Sequence, residues 1–130
     1  MPNGFAIASA GNAVKYSTKE QWTGDYWIDG KPVFFKVIQF VSPSASTGNV
    51  ATSIGVAIDK FIDTKIVLEL DEGYFCQFSQ NAVQDNDRIY AQFANDNGVS
   101  GQKNSVLLNT NASRYANKNV VAIIKYTKMD

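Results

Sequence analysis

The side chains that could do chemistry in this 130-residue chain are few, and histidine is absent from the sequence. Without an imidazole there is no Ser-His-Asp or Cys-His set, which closes those routes to acyl transfer. A glycosidase would need two carboxylates on either side of a cleft. Nearly all the available acids lie in predicted turns or on solvated strand faces: Asp25, Asp29, Asp59, Asp63, Glu69, Asp71 and Glu72. We therefore interpret them as surface charge and predict no catalytic residues and no enzyme.

Cys76 is the single cysteine, so neither an intrachain disulfide nor a cysteine zinc cluster can form. Its context, Tyr74 to Phe78, alternates as a strand does. Free cysteine is among the most buried residue types, and no histidine is present to activate the thiol. The sequence therefore predicts a buried apolar thiol.

Two short runs carry oxygen ligands of the kind that Ca²⁺ prefers, Asp85-Asn86-Asp87 and Asn95-Asp96-Asn97-Gly98. Neither run continues to the glycine and bidentate glutamate that an EF-hand loop requires. Asn-Asp-Asn-Gly is typical of a turn, because asparagine and aspartate tolerate the left-handed conformation and glycine follows them. We predict no cofactor and assign no metal site, and leave a bound Ca²⁺ as an open alternative.

Both tryptophans, Trp22 and Trp27, lie in one short segment together with Tyr26 and the pair Asp29-Gly30. Aromatic faces suit the apolar faces of sugars, so these three rings are a candidate stacking platform. Large aromatic side chains also anchor protein cores and subunit interfaces. The sequence favours this second, structural role, and the aromatic segment is kept as the alternative binding site.

The preferred candidate site consists of polar groups in and beside the predicted loops. Loops on a rigid β scaffold commonly carry binding function, and amides offer both donors and acceptors to sugar hydroxyls. The predicted ligand-binding residues are Asn95, Asp96, Asn97, Asn109, Asn111, Arg114 and Tyr115, of which the last would add an aromatic face. The alternative for each single amide is that it only satisfies the backbone of its own turn.

Twelve basic and twelve acidic residues give a formal net charge of zero. No basic run is present, so we expect no nucleic-acid partner, since neutralisation of phosphates supplies much of that affinity. No segment approaches the roughly 20 apolar residues needed to cross a bilayer, so we expect no membrane insertion. The start of the chain lacks the basic region of a signal peptide, and residues 1–15 are interpreted as a linker or N-terminal arm.

Residues 16–130 are predicted to form a single domain in which apolar residues alternate with period two, as in half-buried β-strands. Segments with this pattern place Ile66, Leu68 and Leu70 on one face, and Ile89, Ala91 and Phe93 on another. Residues 120–126 are apolar on both sides, which indicates a central strand. The best helix candidate, residues 51–61, contains Gly55 and many β-branched residues. The fold class is all-β, an antiparallel, jelly-roll-like β-sandwich of six to eight strands.

The pair Asp29-Gly30 separates two strand-like arms and predicts a type I′ hairpin turn, in which both positions take positive φ. Pro32 has no ladder donor, which predicts that the following arm begins at a sheet edge. That arm, residues 33–40, is apolar on both faces, so one face must be covered by a second sheet or another chain. Because one small sandwich could leave such surface exposed, we predict a homotrimer.

Two segments resemble a block that recurs in virion proteins of tailed phages. The first is Tyr16-Ser17-Thr18-Lys19-Glu20-Gln21 followed by Trp27-Ile28-Asp29-Gly30-Lys31-Pro32-Val33, which is similar to a YST-x-E-Q start and a WIDGKP run. The second is Ile123-Ile124-Lys125-Tyr126-Thr127-Lys128, with Ser113-Arg114-Tyr115 upstream, which is similar to a closing EYTK strand. The likeness covers both ends of the domain.

The resemblance implies a β-sandwich domain of a tail fibre, head fibre or other receptor-binding module on the outside of a virion. It implies attachment to a bacterial surface receptor, glycan or protein, without catalysis, and often a trimer. It also implies that the first hairpin is scaffold. Two alternatives stay open: a stand-alone carbohydrate-binding module of a secreted protein, and a structural trimerising fibre domain without a ligand.

Overall fold

The structure, a computed structural model, describes residues 15–45, 47–78, 81–84, 87–99 and 102–130. The predicted arm of residues 1–15, apart from Lys15, lies outside these ranges, as do Asp85 and Asn86. The described residues form nine β-strands: β1 Gln21–Tyr26, β2 Pro32–Val41, β3 Gly48–Ser53, β4 Ile58–Glu69, β5 Phe75–Phe78, β6 Asn81–Gln84, β7 Asp87–Ala94, β8 Ser105–Thr110 and β9 Asn119–Lys128. Two single 3₁₀ turns, Asp71–Gly73 and Ser113–Tyr115, lie between strands.

The strands form two antiparallel sheets packed face to face. The five-stranded sheet has the order β1-β2-β9-β4-β5, and the four-stranded sheet the order β3-β8-β7-β6. The pairs β2–β9 and β3–β8 join strands from distant parts of the chain, as the nested pairs of a jelly roll do. The pairs β1–β2, β4–β5, β6–β7 and β7–β8 instead join strands that follow each other in the chain. The prediction of an all-β sandwich is confirmed, with more strands than expected.

The core lies between the sheets and follows the predicted alternation. Ile66 and Leu68 of β4 and Ile89 and Ala91 of β7 are fully buried. Strand β9 is the central strand of the larger sheet, as its apolar faces predicted. Each fully buried large aliphatic side chain contributes about 1.5 to 3 kcal/mol, so this interface supplies most of the stabilisation. The buried side chains that meet here include Ile38, Ile58, Phe78, Val106, Leu108, Val120, Ala122, Ile124 and Tyr126.

Strand β2 differs in one respect from expectation, because it lies between β1 and β9 and is not a sheet edge. Pro32 is tolerated because it is the first residue of the strand, where a missing ladder donor costs little. The second apolar face of β2 is buried within the chain, with Val33, Phe35 and Val37 at 5%, 2% and 6% exposure. The ring of Tyr16 lies edge-on to Phe35 at 5.5 Å between centroids.

Two further predictions concern local structure. The segment Asp71–Gly73 is a turn between β4 and β5, as predicted. Cys76 lies in β5 and packs against the core, but the thiol that was predicted to be buried is only partly buried. Among the described strands, β5 is an edge strand of the larger sheet.

No helix within the described ranges has the length and apolar character that a membrane-spanning segment needs.

Candidate functional site

The Asp29-Gly30 turn connects β1 and β2, but it is not of type I′. The backbone N–H of Gly30 donates to the carbonyl of Trp27 at 2.9 Å, and the N–H of Trp27 donates to the carbonyl of Lys31 at 2.8 Å. Positive φ occurs at Gly30, at +89°, and not at Asp29. This is the three-residue hairpin loop, in which a turn is followed by glycine in the left-handed region. The predicted hairpin is therefore confirmed and its predicted turn type is wrong.

The charged residues of this turn are tied to the beginning of β4. The carboxylate of Asp29 accepts the backbone N–H of Lys31 at 3.0 Å and the ammonium of Lys60 at 3.1 Å. Lys31 and Lys60 both contact the carboxylate of Asp59, at 3.2 and 3.0 Å. The backbone bond from Lys31 and the bond from Lys60 lower the pKa of Asp29. Asp29 and Gly30 thus shape and fix the hairpin, which agrees with a scaffold role for these two residues.

We expect Gly30→Val to destabilise the domain by about 1 to 3 kcal/mol, the cost of a strained backbone position. No atom lies within 4 Å of the position of an added Cβ, so the cost comes from the positive φ and not from a clash. Thermal unfolding of Gly30→Val and of Gly30→Asn separates the two causes. Asparagine tolerates positive φ, so Gly30→Asn should lose much less. Equal melting temperatures for Gly30→Val and the wild-type protein would contradict this account of the turn.

The aromatic side chains of the hairpin are exposed. Trp22 is 44% exposed, Tyr26 63% and Ile28 89%, while Trp27 is half-buried. The prediction that Trp22 and Tyr26 are core residues is therefore wrong. Their role as anchors of a subunit interface stays a prediction. We call the surface formed by Trp22, Tyr26 and Ile28 the hairpin surface.

The position of Trp22 is set by a row of aromatic residues across the larger sheet. Trp22 of β1 pairs with Phe34 of β2, Phe34 with Tyr126 of β9, and Tyr126 with Phe61 of β4. The Phe34 and Tyr126 rings are 6.3 Å apart, and Phe61 lies 5.5 Å from Phe93 of the other sheet. Trp22 is the exposed end of a row whose centre is in the core. Its backbone is thereby held at a fixed place.

The exposed rings are also held by local contacts. Trp22 and Tyr26 pack edge to face with centroids 5.7 Å apart, and the indole Nε1–H of Trp22 donates to the carbonyl of Asp25 at 3.2 Å. The hydroxyl of Thr23 donates to the carbonyl of Val33 at 2.8 Å. The register of β1 against β2 shifts between Trp22 and Tyr26, so the pairing of this edge strand is irregular there. Irregular pairing at an exposed edge reorients side chains and interrupts the strand ladder.

A partly exposed ion pair lies beside the aromatic row. The carboxylate of Glu20 accepts the hydroxyl of Tyr126 at 2.6 Å and the ammonium of Lys128 at 2.8 Å. The same ammonium lies 4.3 Å from the centre of the Phe34 ring, one strand away from Trp22. Glu20 belongs to the first segment of the phage resemblance, and Tyr126 and Lys128 belong to the second. Sequence reasoning missed this contact because it depends on the pairing of β2 with β9.

Burial of Glu20 tends to raise its pKa, but hydrogen bonds from Lys128 and Tyr126 and the charges of Lys128 and Lys36 together lower that pKa below its usual 4.5. Burial and the neighbouring carboxylate raise the pKa of Tyr126. A carboxyl group whose pKa is lower in the folded than in the unfolded protein stabilises the fold at pH values above its unfolded pKa. That stabilisation is lost as the pH falls through the folded pKa.

We therefore expect the free energy of unfolding of Glu20→Gln to fall less than that of wild type as the pH is lowered below about 5. Denaturant unfolding of wild type and variant at neutral and acid pH measures the difference. The two proteins should differ most at neutral pH and converge in acid. A constant difference across that pH range would contradict an ionised, paired Glu20.

The predicted loop residues near β4 mainly stabilise their own loop. The amide of Asn95 donates to the carbonyl of Asp59 at 2.6 Å and accepts the N–H of Asn97 at 2.9 Å. The carboxylate of Asp96 accepts the amide of Asn104 at 2.9 Å. Asn97 itself is exposed. For Asn95 and Asp96 the structure favours the turn interpretation over ligand binding.

The predicted residues after β8 are engaged in a similar way. The side-chain carbonyl of Asn111 accepts the backbone N–H of Arg88. The guanidinium of Arg114 donates to the hydroxyl of Tyr115 at 2.7 Å and lies 4.8 Å from the centre of its ring. Tyr115 is 3% exposed and packs in the core. The prediction that its ring faces a ligand is wrong, because a 3₁₀ turn directs the side chain inward.

The two loops cannot form one site. Asn95 follows the last residue of β7, whereas Asn111 bonds to Arg88 at the beginning of that strand. Six residues of extended chain separate Arg88 from Asn95, about 20 Å or more. Asn109 is placed differently again, within β8, where its amide donates to that of Asn49 in β3 at 2.5 Å. Among the residues that the structure describes, the hairpin surface brings two predicted aromatic residues, Trp22 and Tyr26, into contact on an exposed face.

Two clefts, of 560 and 220 Å³, lie elsewhere on the larger sheet, and no predicted site residue lines either one. Within the described ranges, no group of three or more acidic, cysteine or histidine side chains is arranged to hold a metal ion. No match was found for this chain among protein families, curated proteins or solved structures.

Proposed function

We propose that this domain is an adhesion module of a phage fibre or tail, that it attaches the virion to a glycan on the bacterial surface, and that the hairpin surface makes the contact. The observation that carries the proposal is the exposure of Trp22 and Tyr26 on a hairpin that is otherwise fixed in place. Adhesion here requires no catalysis.

Physical reasoning favours binding at this surface. A contiguous exposed apolar patch is costly in water and commonly marks an interaction site. Indole and phenol rings have only two side-chain torsions, so ordering them on binding costs little entropy. Trp22 is already oriented by its bond to Asp25 and by its contact with Tyr26. A sugar could therefore stack on a preformed platform.

Polar groups at the rim complement the rings. Glu20 lies two residues before Trp22, and the ammonium of Lys128, from β9, lies over Phe34, the cross-strand neighbour of Trp22. The side chains of Lys128 and Glu20 are 36% and 25% exposed. An ammonium donates and a carboxylate accepts hydrogen bonds, so the pair can bind sugar hydroxyls beside the stacked face. A platform with both kinds of group at its edge suits a carbohydrate better than a purely apolar partner.

The virion location rests on the resemblance of the two terminal segments. Their meeting at Glu20, Tyr126 and Lys128 gives a physical reason for the two segments to occur together, because each supplies part of one hydrogen-bonded ion pair. The runner-up is a stand-alone carbohydrate-binding module of a secreted protein. The hairpin surface would serve that role equally well.

Assembly as a homotrimer is part of the proposal. The buried outer residues of β2 weaken the original reason for it, but Val41, Tyr74 and Phe75 remain 51%, 68% and 58% exposed at the other end of the sheet. Closed threefold symmetry could bury them. We expect light scattering to give three times the 14.3 kDa chain mass. A clean monomer at tens of micromolar would instead favour the stand-alone module.

A microarray of bacterial surface glycans tests the function. The proposal predicts binding to at least one glycan class by the wild-type protein and its loss in Trp22→Ala/Tyr26→Ala. The matched control is Asp96→Ala/Arg114→Ala, which should bind as wild type does. Absence of binding to every glycan, with a protein shown to be folded, would favour a structural fibre domain without a ligand.

A further inference from the structure

The outer face of the four-stranded sheet carries a row of amides beside a tyrosine. Asn49 of β3 pairs with Asn109 of β8, and Asn109 pairs with Tyr90 of β7. All three side chains lie on the face away from the core, because their neighbours along the strands, such as Leu108 and Ile89, are fully buried. Asn49 is exposed, and Asn109 and Tyr90 are half-buried. The row is thus open to solvent.

The neighbouring row adds an apolar group and another amide. Leu107 of β8 pairs with Gln92 of β7 and lies two residues from Asn109, on the same face. Leu107 is half-buried and Gln92 is exposed. Together, Asn49, Asn109, Tyr90, Leu107 and Gln92 form what we call the amide face. It is on the other sheet from the hairpin surface.

Asparagine is an unusual choice here. It is depleted in strands, and β8 is an internal strand where β-branched residues pack better. A solvent-facing polar position could be filled by threonine at no loss of strand propensity. Two asparagines opposite each other therefore call for a reason other than the stability of the sheet.

The amide pair leaves complementary groups free for a ligand. One amide donates to the other across the strands at 2.5 Å. Each carboxamide has two donors and one acceptor oxygen, so the pair still holds an unused carbonyl on one residue and N–H groups on both. An acetamido group has one carbonyl acceptor and one N–H donor, so it can bond to the free N–H groups and the free carbonyl of this pair.

We propose that the amide face is a second carbohydrate site, separate from the hairpin surface, and that it binds N-acetylated amino sugars. The acetamido group pairs with the amides of Asn49 and Asn109, and its methyl group contacts Leu107. The sugar ring lies against Tyr90, whose aromatic face suits the apolar face of a pyranose. This site goes beyond the proposed attachment through the hairpin and does not depend on it.

Chitotetraose and cellotetraose are the test ligands, because they share one backbone and differ in an acetamido group against a hydroxyl. Titration of the ¹⁵N-labelled protein is followed by NMR. Chitotetraose is expected to shift the side-chain amide signals of Asn49 and Asn109, and cellotetraose is expected to leave them unchanged. No shift with millimolar chitotetraose, or equal shifts with both sugars, would overturn the proposal.

Variants distinguish a loss of binding at the amide face from a loss of stability and from binding at the hairpin surface. Asn49→Thr keeps strand propensity and should weaken chitotetraose binding at least about fivefold. The aspartate in Asn49→Asp has nearly the same shape as asparagine and can still accept the amide N–H of Asn109, but it has no N–H donor. Asn49→Asp should therefore weaken chitotetraose binding by a similar factor. It serves as the test if Asn49→Thr folds poorly. Trp22→Ala should bind chitotetraose at the amide face as wild type does. Loss of those amide shifts in Trp22→Ala, or unchanged affinity in both Asn49 variants, would refute a separate site.

Discussion

Replacing Tyr126 by alanine is expected to lower the free energy of unfolding by about 3 to 5 kcal/mol, the range for removing a buried aromatic side chain. Tyr126 is fully buried in the central strand β9, between Phe34 and Phe61 in the adjacent strands. Its removal opens a cavity in the aromatic row and leaves Glu20 with one partner fewer. Urea unfolding measures the loss, which is a large part of the stability of a domain of this size.

Tyr126→Phe is the matched control. It keeps the ring and removes only the hydroxyl, so we expect a loss of about 1 to 3 kcal/mol, from a hydrogen bond to a charged and partly buried acceptor. Glu20 still has Lys128 as a partner. If Tyr126→Phe lowered the free energy of unfolding as much as Tyr126→Ala does, the hydrogen bond, and not the packing of the ring, would stabilise the aromatic row. A cost below about 1 kcal/mol for alanine would contradict the burial described here.

Replacing Trp22 by alanine is expected to weaken glycan binding at least about tenfold, which corresponds to about 1.4 kcal/mol. Tryptophan anchors often cost more than this when truncated. The stability of the domain should change much less than in Tyr126→Ala, because Trp22 is 44% exposed in the edge strand of its sheet. Binding curves on immobilised glycan, with melting temperatures for each variant, measure both effects.

Asp96→Ala and Arg114→Ala provide the comparison for Trp22→Ala. The sequence alone assigned binding to these two residues, but they lie at opposite ends of the sandwich and bond to neighbours within their loops. We expect Asp96→Ala to cost about 1 kcal/mol of stability through the lost bond to Asn104, with no effect on glycan affinity. Normal binding by Trp22→Ala together with lost binding in the loop variants would reverse the assignment.

Much of the fold could be predicted because alternation along one strand is a local property. Ile66, Leu68, Ile89 and Ala91 are buried as their spacing indicated. The order of strands could not be predicted, since it depends on pairings such as β2 with β9 between residues that are 78 to 92 positions apart in the chain. The turn type was missed for a different reason. An Asp-Gly pair also occurs in three-residue loops, where only the glycine needs positive φ.

The candidate site was harder to predict than the fold. The alternation of Trp22, Thr23, Gly24 and Asp25 identifies a strand, but it does not tell whether another sheet covers the aromatic side. The structure places that side at an edge, where it stays open. Tyr115 illustrates the converse, because a polar neighbourhood suggested exposure while the 3₁₀ turn buries the ring. Local sequence specifies neither of these tertiary environments.

The most direct test of the hairpin surface uses the indole N–H signals of the protein. The chain has two tryptophans, so an ¹⁵N spectrum contains two such signals, and Trp22→Phe assigns them. On titration with the strongest-binding glycan of the array, we expect the Trp22 indole signal to shift or broaden in step with binding, together with backbone signals of Tyr26 and Ile28. A saturating titration that moves signals of the loops at residues 95–99 or 111–114 and leaves the Trp22 indole unchanged would contradict the account.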